Sequence, residues 1–102
     1  MSSWTIITNH GLVLSYIARH PRSTAREIAA AVGITERAVH RIIADLAGDG
    51  YINRRRKGRQ NVYRINPDVP LRHESQREVP VGDLLEALGW KRTVRQKGSE
   101  AS

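Results

Sequence analysis

Two helix start signals with one short break between them restrict the fold more than any other feature. Thr24-Ala25-Arg26-Glu27 has the spacing of a capping box, in which the threonine hydroxyl and the glutamate each bind a free backbone amide. Gly33 is suited to end this helix because glycine readily takes the left-handed conformation needed there. Thr35 then caps a further helix. Two helices joined by so short a turn predict a helix-turn-helix unit.

The apolar residues of this unit recur with helical period. Val39, Ile42, Ile43 and Leu46 lie at i, i+3, i+4 and i+7, which makes one apolar stripe along the second helix. The opposite side of that helix carries Arg37 and Arg41 beside the small Ala44. We therefore expect a buried side and an outward basic side on the same helix.

An earlier helix is predicted from Asn9 to about Arg19, where His20-Pro21 ends the pattern. Its apolar arc is about 200° wide, because Leu12 and Leu14 flank the central stripe. A small core cannot cover so wide an arc. This helix is therefore expected to contact a further element, either the C-terminal segment or a second subunit.

A β-hairpin is predicted after Gly50. Tyr51-Ile52-Asn53-Arg54 and Asn61-Val62-Tyr63-Arg64-Ile65 are typical of short strands, and Gly58 lies in the loop between them. Five of the six residues 54–59 are cations, which we place around the hairpin tip. The predicted fold is mainly α with a small β-hairpin, a winged helix-turn-helix with a three-helix core plus wing and a short C-terminal helix. A third small strand is usual in this fold, here near Arg22-Ser23.

The composition changes after residue 66. We expect a winged helix-turn-helix domain over residues 4–66, an extended connector over 67–80 and a short C-terminal helix over 81–90. Residues 91–102 have the composition of a disordered tail. Apolar residues on the first and last helices are the candidate seam of a homodimer, namely Leu12, Leu14, Leu84, Leu85 and Leu88.

The charge balance points to an anionic partner. The net charge is +7, and residues 1–66 hold 11 Lys or Arg against 4 Asp or Glu, whereas the two signs balance over 67–102. A surplus confined to one folded unit favours a surface for nucleic acid. The absence of cysteine excludes disulfides and thiolate sites, and no apolar run or signal pattern predicts membrane insertion or secretion. We therefore expect a cytoplasmic protein.

Catalytic and metal sites are not indicated. His10, His20, His40 and His73 have no metal-ligand spacing, and no phosphate loop, nucleophile elbow or paired acidic motif occurs. We predict a protein that is not an enzyme and that needs no cofactor or metal.

From Asn9 to Leu85 the chain resembles the small bacterial winged-helix regulators of the MarR/ArsR-like group. The residues that carry this resemblance are Gly33-Ile34-Thr35-Glu36-Arg37-Ala38-Val39, Leu46, Gly50-Tyr51-Ile52, Gly58-Arg59, Asn61 and Tyr63-Arg64. The resemblance implies a DNA-binding transcription factor, usually homodimeric, with its second helix-turn-helix helix in the major groove. It also implies the contact residues, which are Thr35, Glu36, Arg37, His40 and Arg41 on the helix and Arg54, Arg55, Arg56, Lys57 and Arg59 on the wing.

The function predicted from all this is sequence-specific binding of double-stranded DNA by a homodimeric transcriptional regulator. Two other functions stay open at this stage. A winged helix can serve as a protein-interaction module whose basic wing meets an acidic partner. Single-stranded RNA is a third candidate, although Tyr51 and Tyr63 are expected to point inward, away from bases that would stack on them. The sequence identifies no small-molecule effector.

Overall fold

A computed structural model of the chain describes residues 4–92. Three helices are followed by a hairpin and, after a longer connection, by a 3-10 turn and a last short helix. The elements are α1 (Asn9–Arg19), α2 (Ala25–Val32), α3 (Glu36–Gly48), β1 (Ile52–Lys57), β2 (Gln60–Ile65), a 3-10 helix (Glu74–Gln76) and α4 (Val81–Ala87). This order confirms the predicted winged helix-turn-helix with a C-terminal helix. Within residues 4–92, no helix has the length and apolar character needed to cross a membrane.

The turn between α2 and α3 is built as the local sequence predicts. The Thr24 hydroxyl accepts from the Glu27 amide at 3.1 Å, and the Glu27 carboxylate accepts from the Thr24 amide at 2.8 Å. Gly33 has a φ of 84°, and its amide donates to the Ala29 carbonyl at 2.8 Å. The capping box and the left-handed glycine are therefore both confirmed.

The core lies where the three helices meet. Val13 and Ile17 of α1, Ile28 of α2, and Val39 and Ile43 of α3 are each at most 1% exposed. Burying these side chains removes apolar surface from water and supplies the main stabilisation of the helical unit.

The hairpin strands are longer than predicted. They pair antiparallel from Ile52 opposite Ile65 to Lys57 opposite Gln60, so only Gly58 and Arg59 form the turn. Gly58 has a φ of 61°, a conformation that two-residue hairpin turns need and that glycine adopts without strain. The placement of Arg55, Arg56 and Lys57 between the strands was therefore wrong, because these residues belong to β1. Alternating apolar residues, the usual strand signal, do not occur over that stretch.

The predicted third strand near Arg22-Ser23 is not present as a strand, and the sheet within residues 4–92 has two strands. A single backbone hydrogen bond takes its place: the Tyr63 amide of β2 donates to the Pro21 carbonyl at 2.9 Å. This bond attaches the base of the hairpin to the connection between α1 and α2.

The 67–80 segment folds back on itself instead of running out as an extended connector. Pro70 and Pro80 form an isolated antiparallel bridge, and the Val81 amide donates to the Val69 carbonyl at 2.8 Å. The Tyr51 hydroxyl donates to the Pro70 carbonyl at 2.8 Å. These bonds join residues distant in sequence, and they bring α4 back against the helical core.

The C-terminal part of the described chain is anchored at α4. Val81 and Leu85 are each 1% exposed, so they belong to the same core as the first three helices. Arg92 lies beyond the helix and pairs with Glu86 at 2.9 Å and with Asp83 at 3.4 Å. The predicted disordered tail begins at residue 91, and its residues 93–102 lie outside the described part of the chain.

We predict that Tyr51→Phe destabilises the fold and changes its response to alkaline pH. Loss of the hydrogen bond to Pro70 should lower the free energy of unfolding by about 1 kcal/mol at neutral pH. Burial raises the pKa of Tyr51 above its ordinary value, opposed by Arg72 and reinforced by Asp49. The folded state therefore disfavours the phenolate, so this stabilising contribution is complete below the unfolded pKa of about 10 and is lost as pH rises above it.

Urea unfolding of the wild type and of Tyr51→Phe over a series of pH values tests this. The difference in stability between the two proteins should shrink above a pH of about 10. Tyr16→Phe is the control, since Tyr16 makes no side-chain bond across to the 67–80 segment. A difference between wild type and Tyr51→Phe that stays constant with pH would contradict the argument.

Candidate nucleic-acid interface

The outward face of α3 follows from burial of its apolar stripe. Val39, Ile42, Ile43 and Leu46 are all buried against the other helices. With 3.6 residues per turn, burying that side turns the opposite one to solvent. The structure leaves the side chains of this opposite side exposed, and they are Arg37, His40, Arg41 and Ala44. We call these four residues the outward face of α3.

The start of α3 is capped by Thr35. Its hydroxyl oxygen accepts from the Ala38 amide at 3.0 Å. A hydroxyl has a proton as well as its acceptor lone pairs, so this cap leaves the Thr35 proton able to donate to an anion. The remaining free amides of the first turn and the helix dipole also favour negative charge at this end.

Glu36 and Arg26 form an ion pair that the sequence did not reveal. Arg26 of α2 lies with its Nε 3.5 Å from a carboxylate oxygen of Glu36, and both side chains are largely in solvent. The sequence could have identified Arg26 as a surface cation close to α3. Arg26 lies outside the apolar stripe of α2, and only a short turn separates α2 from α3. Arg26 and the exposed Arg22 extend the cationic surface beyond the residues that the sequence singled out.

The wing, which we define as β1, its turn and β2, carries its cations on two faces. Side chains alternate along a strand, so Arg54 and Arg56 share a face with Ile52, whereas Arg55 and Lys57 lie on the other. These four side chains and that of Arg59 in the turn are exposed. The wing therefore presents two rows of positive charge along its length rather than one cluster at its end.

The base of the wing is held close to the end of α3. Gly50 has a φ of 86° where the chain leaves the helix, and the Tyr51 amide donates to the Leu46 carbonyl at 2.9 Å. Strand β1 packs against α3, and β2 packs against α1. Tyr51, Ile52 and Tyr63 are all buried at this junction, so the inward direction expected for the two tyrosines is confirmed.

The candidate dimer residues separate into two groups. Leu14 and Leu85 are 5% and 1% exposed, and they pack in the core of the same chain. Those two side chains are therefore occupied within the monomer, because both belong to the buried core of the same chain. Leu12, Leu84 and Leu88 are half-buried and keep apolar surface in contact with solvent.

The histidines are dispersed in the structure as in the sequence. His10 Nε2 lies 2.8 Å from a carboxylate oxygen of Asp45, and His73 Nδ1 lies 2.8 Å from the Ser75 hydroxyl. No group of three or more His, Cys, Asp or Glu side chains within residues 4–92 is placed to hold a metal ion. His40 is exposed on α3, where both contact with nucleic acid and simple exposure stay open.

The capped pair α2 and α3, the preceding α1 and the basic hairpin together define the winged helix-turn-helix class. Residues 8–53 match the family model described as winged helix-turn-helix DNA-binding. The match runs from the cap of α1 through α3 to the start of β1, just under half of the chain. It supports DNA binding and a regulatory role for this domain. No curated protein matches the chain.

We predict that Gly33→Ala destabilises the fold through its backbone conformation alone. A Cβ at this position would meet no atom within 4 Å, so the cost comes from the positive φ that an L side chain disfavours. The expected loss is about 1 kcal/mol of unfolding free energy.

Gly48→Ala is the matched control, since Gly48 is helical, lacks a positive φ and also has open space around its Cβ position. Thermal and urea unfolding should show this variant to be unchanged or stabilised by about 0.5 kcal/mol. Equal effects of the two substitutions would show that the left-handed turn does not set the geometry of the helix pair.

Proposed function

We propose that the protein is a sequence-specific, double-stranded-DNA-binding transcriptional regulator of the MarR/ArsR-like group that acts as a homodimer in the cytoplasm. The observation that carries this proposal is the exposure of Arg37 and Arg41 on one helix whose opposite side is buried. The matching family model and the cationic wing of the same domain support it. The protein acts in this role by binding, without catalysis or a cofactor.

The outward face of α3 has the chemistry needed to read a major groove. An arginine can donate two parallel hydrogen bonds to O6 and N7 of guanine, or can bind a phosphate. Ala44 has a short side chain, so it lets the helix approach the bases closely. Thr35 at the helix start is the candidate for a phosphate contact. His40 and Glu36 are further candidates for hydrogen bonds to base edges.

Glu36 carries the one negative charge on this proposed reading surface, and it has a defined role there. A carboxylate can accept from the amino group of cytosine, whereas it is repelled by phosphate. Its ion pair with Arg26 offsets part of that repulsion. Glu36 would therefore add discrimination between base pairs more than it adds affinity.

The wing supplies the electrostatic part of the binding. Arg54, Arg55, Arg56, Lys57 and Arg59 would lie along the backbone or minor groove next to the segment that α3 reads. Each phosphate that they neutralise releases condensed counterions, so affinity falls steeply as salt increases. This contribution depends little on base sequence, and it complements the specific contacts of α3.

The proposed dimer uses the apolar surface that remains outside the core. Leu12 of α1 and Leu84 and Leu88 of α4 are the half-buried members of the predicted seam. A small domain buries a modest fraction of its surface, so a further apolar interface adds to its stability. Two-fold symmetry would place the two copies of α3 about 34–36 Å apart, one turn of DNA.

We predict different consequences for the two classes of arginine. Arg41→Ala should weaken binding to the preferred site by about 1–3 kcal/mol and relax base preference, because it removes a contact to a base edge. Arg56→Ala should weaken binding to all sequences and lower the log-log salt slope by about 1, because it removes a phosphate contact. Fluorescence anisotropy with a site selected from random duplex DNA, measured over a salt series, gives both quantities.

Arg77→Ala is the matched control, since Arg77 is an exposed arginine of the 67–80 segment, outside both α3 and the wing. It should bind within about twofold of the wild type. Wild-type affinity and salt slope in both Arg41→Ala and Arg56→Ala would rule out these two surfaces as the DNA contacts.

A competition experiment is expected to separate DNA binding from the other functions. Unlabelled duplex DNA of the selected sequence should displace the labelled duplex at far lower concentration than single-stranded RNA or polyglutamate of equal charge. The exposed side of α3 is basic, with no apolar patch for a protein partner, and Tyr51 and Tyr63 are buried away from any single strand. Stronger competition by RNA or by polyglutamate would contradict the proposed function and would favour RNA binding or binding of an acidic protein, respectively.

A further inference from the structure

A groove of about 650 Å³ lies away from the outward face of α3. It is formed by the residues before α1, the start of α1, the end of α3 and the returning 67–80 segment. Its floor consists of the buried side chains Leu14, Leu46 and Val81, and Ile7 and Leu84 form half-buried walls. This volume and this apolar lining lie within the range of sites that bind small molecules.

The polar rim of the groove carries an acidic excess on a strongly cationic protein. Only four carboxylates precede residue 67. Glu27 is used in the capping box and Glu36 in the pair with Arg26, whereas Asp45 and Asp49 both line the groove. Arg72 is the one Lys or Arg among the described lining residues, so the charged groups of the rim favour a cation.

Asp45 is the carboxylate best placed to receive such a cation. One of its oxygens, Oδ2, lies 2.8 Å from His10 Nε2, and its side chain is about half exposed. Its other oxygen makes no hydrogen bond within residues 4–92, so it can accept from a donor in the groove. Asp49, in contrast, already holds Arg72 at 3.2 Å.

We infer that this groove is a binding site for a small organic amine, a molecule with an apolar body and one ammonium group. The body covers Ile7, Leu14 and Leu46, which lie outside the proposed dimer interface, and the ammonium donates to Asp45 at the rim. A neutral analogue would gain the apolar contacts alone, and an anionic analogue would meet the repulsion of Asp45, whereas the charge of Asp49 is offset by Arg72. Charge selectivity in the order amine, alcohol, carboxylate is therefore the signature of the site, and it does not depend on DNA binding.

The test uses three probes that share a phenyl ring on a four-carbon chain, 4-phenylbutylamine, 4-phenylbutanol and 4-phenylbutanoate, titrated into the isotope-labelled full chain without DNA. The amine should bind with a Kd of about 1 mM, which is ordinary for a ligand of about eleven non-hydrogen atoms. Amide signals of Gly11, Leu46 and Leu71 should shift on binding. The alcohol should bind about twofold to fivefold more weakly, as expected for loss of one half-exposed charge pair, and the carboxylate more weakly still.

Asp45→Asn keeps the shape of the side chain and should abolish the preference for the amine over the alcohol without weakening the alcohol. Asp68→Asn, an exposed aspartate that does not line the groove, is the matched control and should preserve the preference. Equal binding of the three probes, absence of shifts at the groove residues, or an unchanged preference in Asp45→Asn would each overturn the inference.

Discussion

Burial of the apolar stripe of α3 is the interaction on which the rest of the structure depends. Val39 and Ile43 lie in the same buried core as Ile17 of α1 and Ile28 of α2. The side chains of a helix have fixed angular positions around its axis, so burying one stripe also decides which residues face solvent. The exposed basic face of α3 is therefore a consequence of core packing. No separate interaction is needed to turn the arginines of α3 toward solvent.

Most of the helical unit could be predicted from sequence because its signals are local. Hydrogen bonds between a side chain and a backbone amide three residues away set the starts of α2 and α3, and the conformational freedom of Gly33 ends α2. Such bonds depend on spacing alone. The exposure of Arg37 and Arg41 could be predicted for the same reason, because the period of the apolar residues already defined the opposite side.

The parts that the sequence did not predict depend on contacts between residues distant in the chain. The return of the 67–80 segment rests on the bridge between Pro70 and Pro80 and on the bond from Tyr51. That return brings Leu85 into the same buried core as Leu14, although the sequence had placed both residues at a dimer seam. The arc of a helix shows that it needs a partner, but it does not show whether the partner belongs to the same chain. The pair of Arg26 with Glu36 is likewise visible only when α2 and α3 are assembled.

The wing shows how a strand with four consecutive cations can remain paired. Like charges directly opposite each other destabilise a sheet, but Arg54, Arg55, Arg56 and Lys57 lie opposite Tyr63, Val62, Asn61 and Gln60, which are all uncharged. Alternation also sends successive cations to opposite faces. Repulsion within each row remains, and beyond Ile52 and Tyr63 no buried side chain of the wing offsets it. A polyanion lying along a row would relieve that repulsion, so the proposed DNA binding would also stabilise the wing.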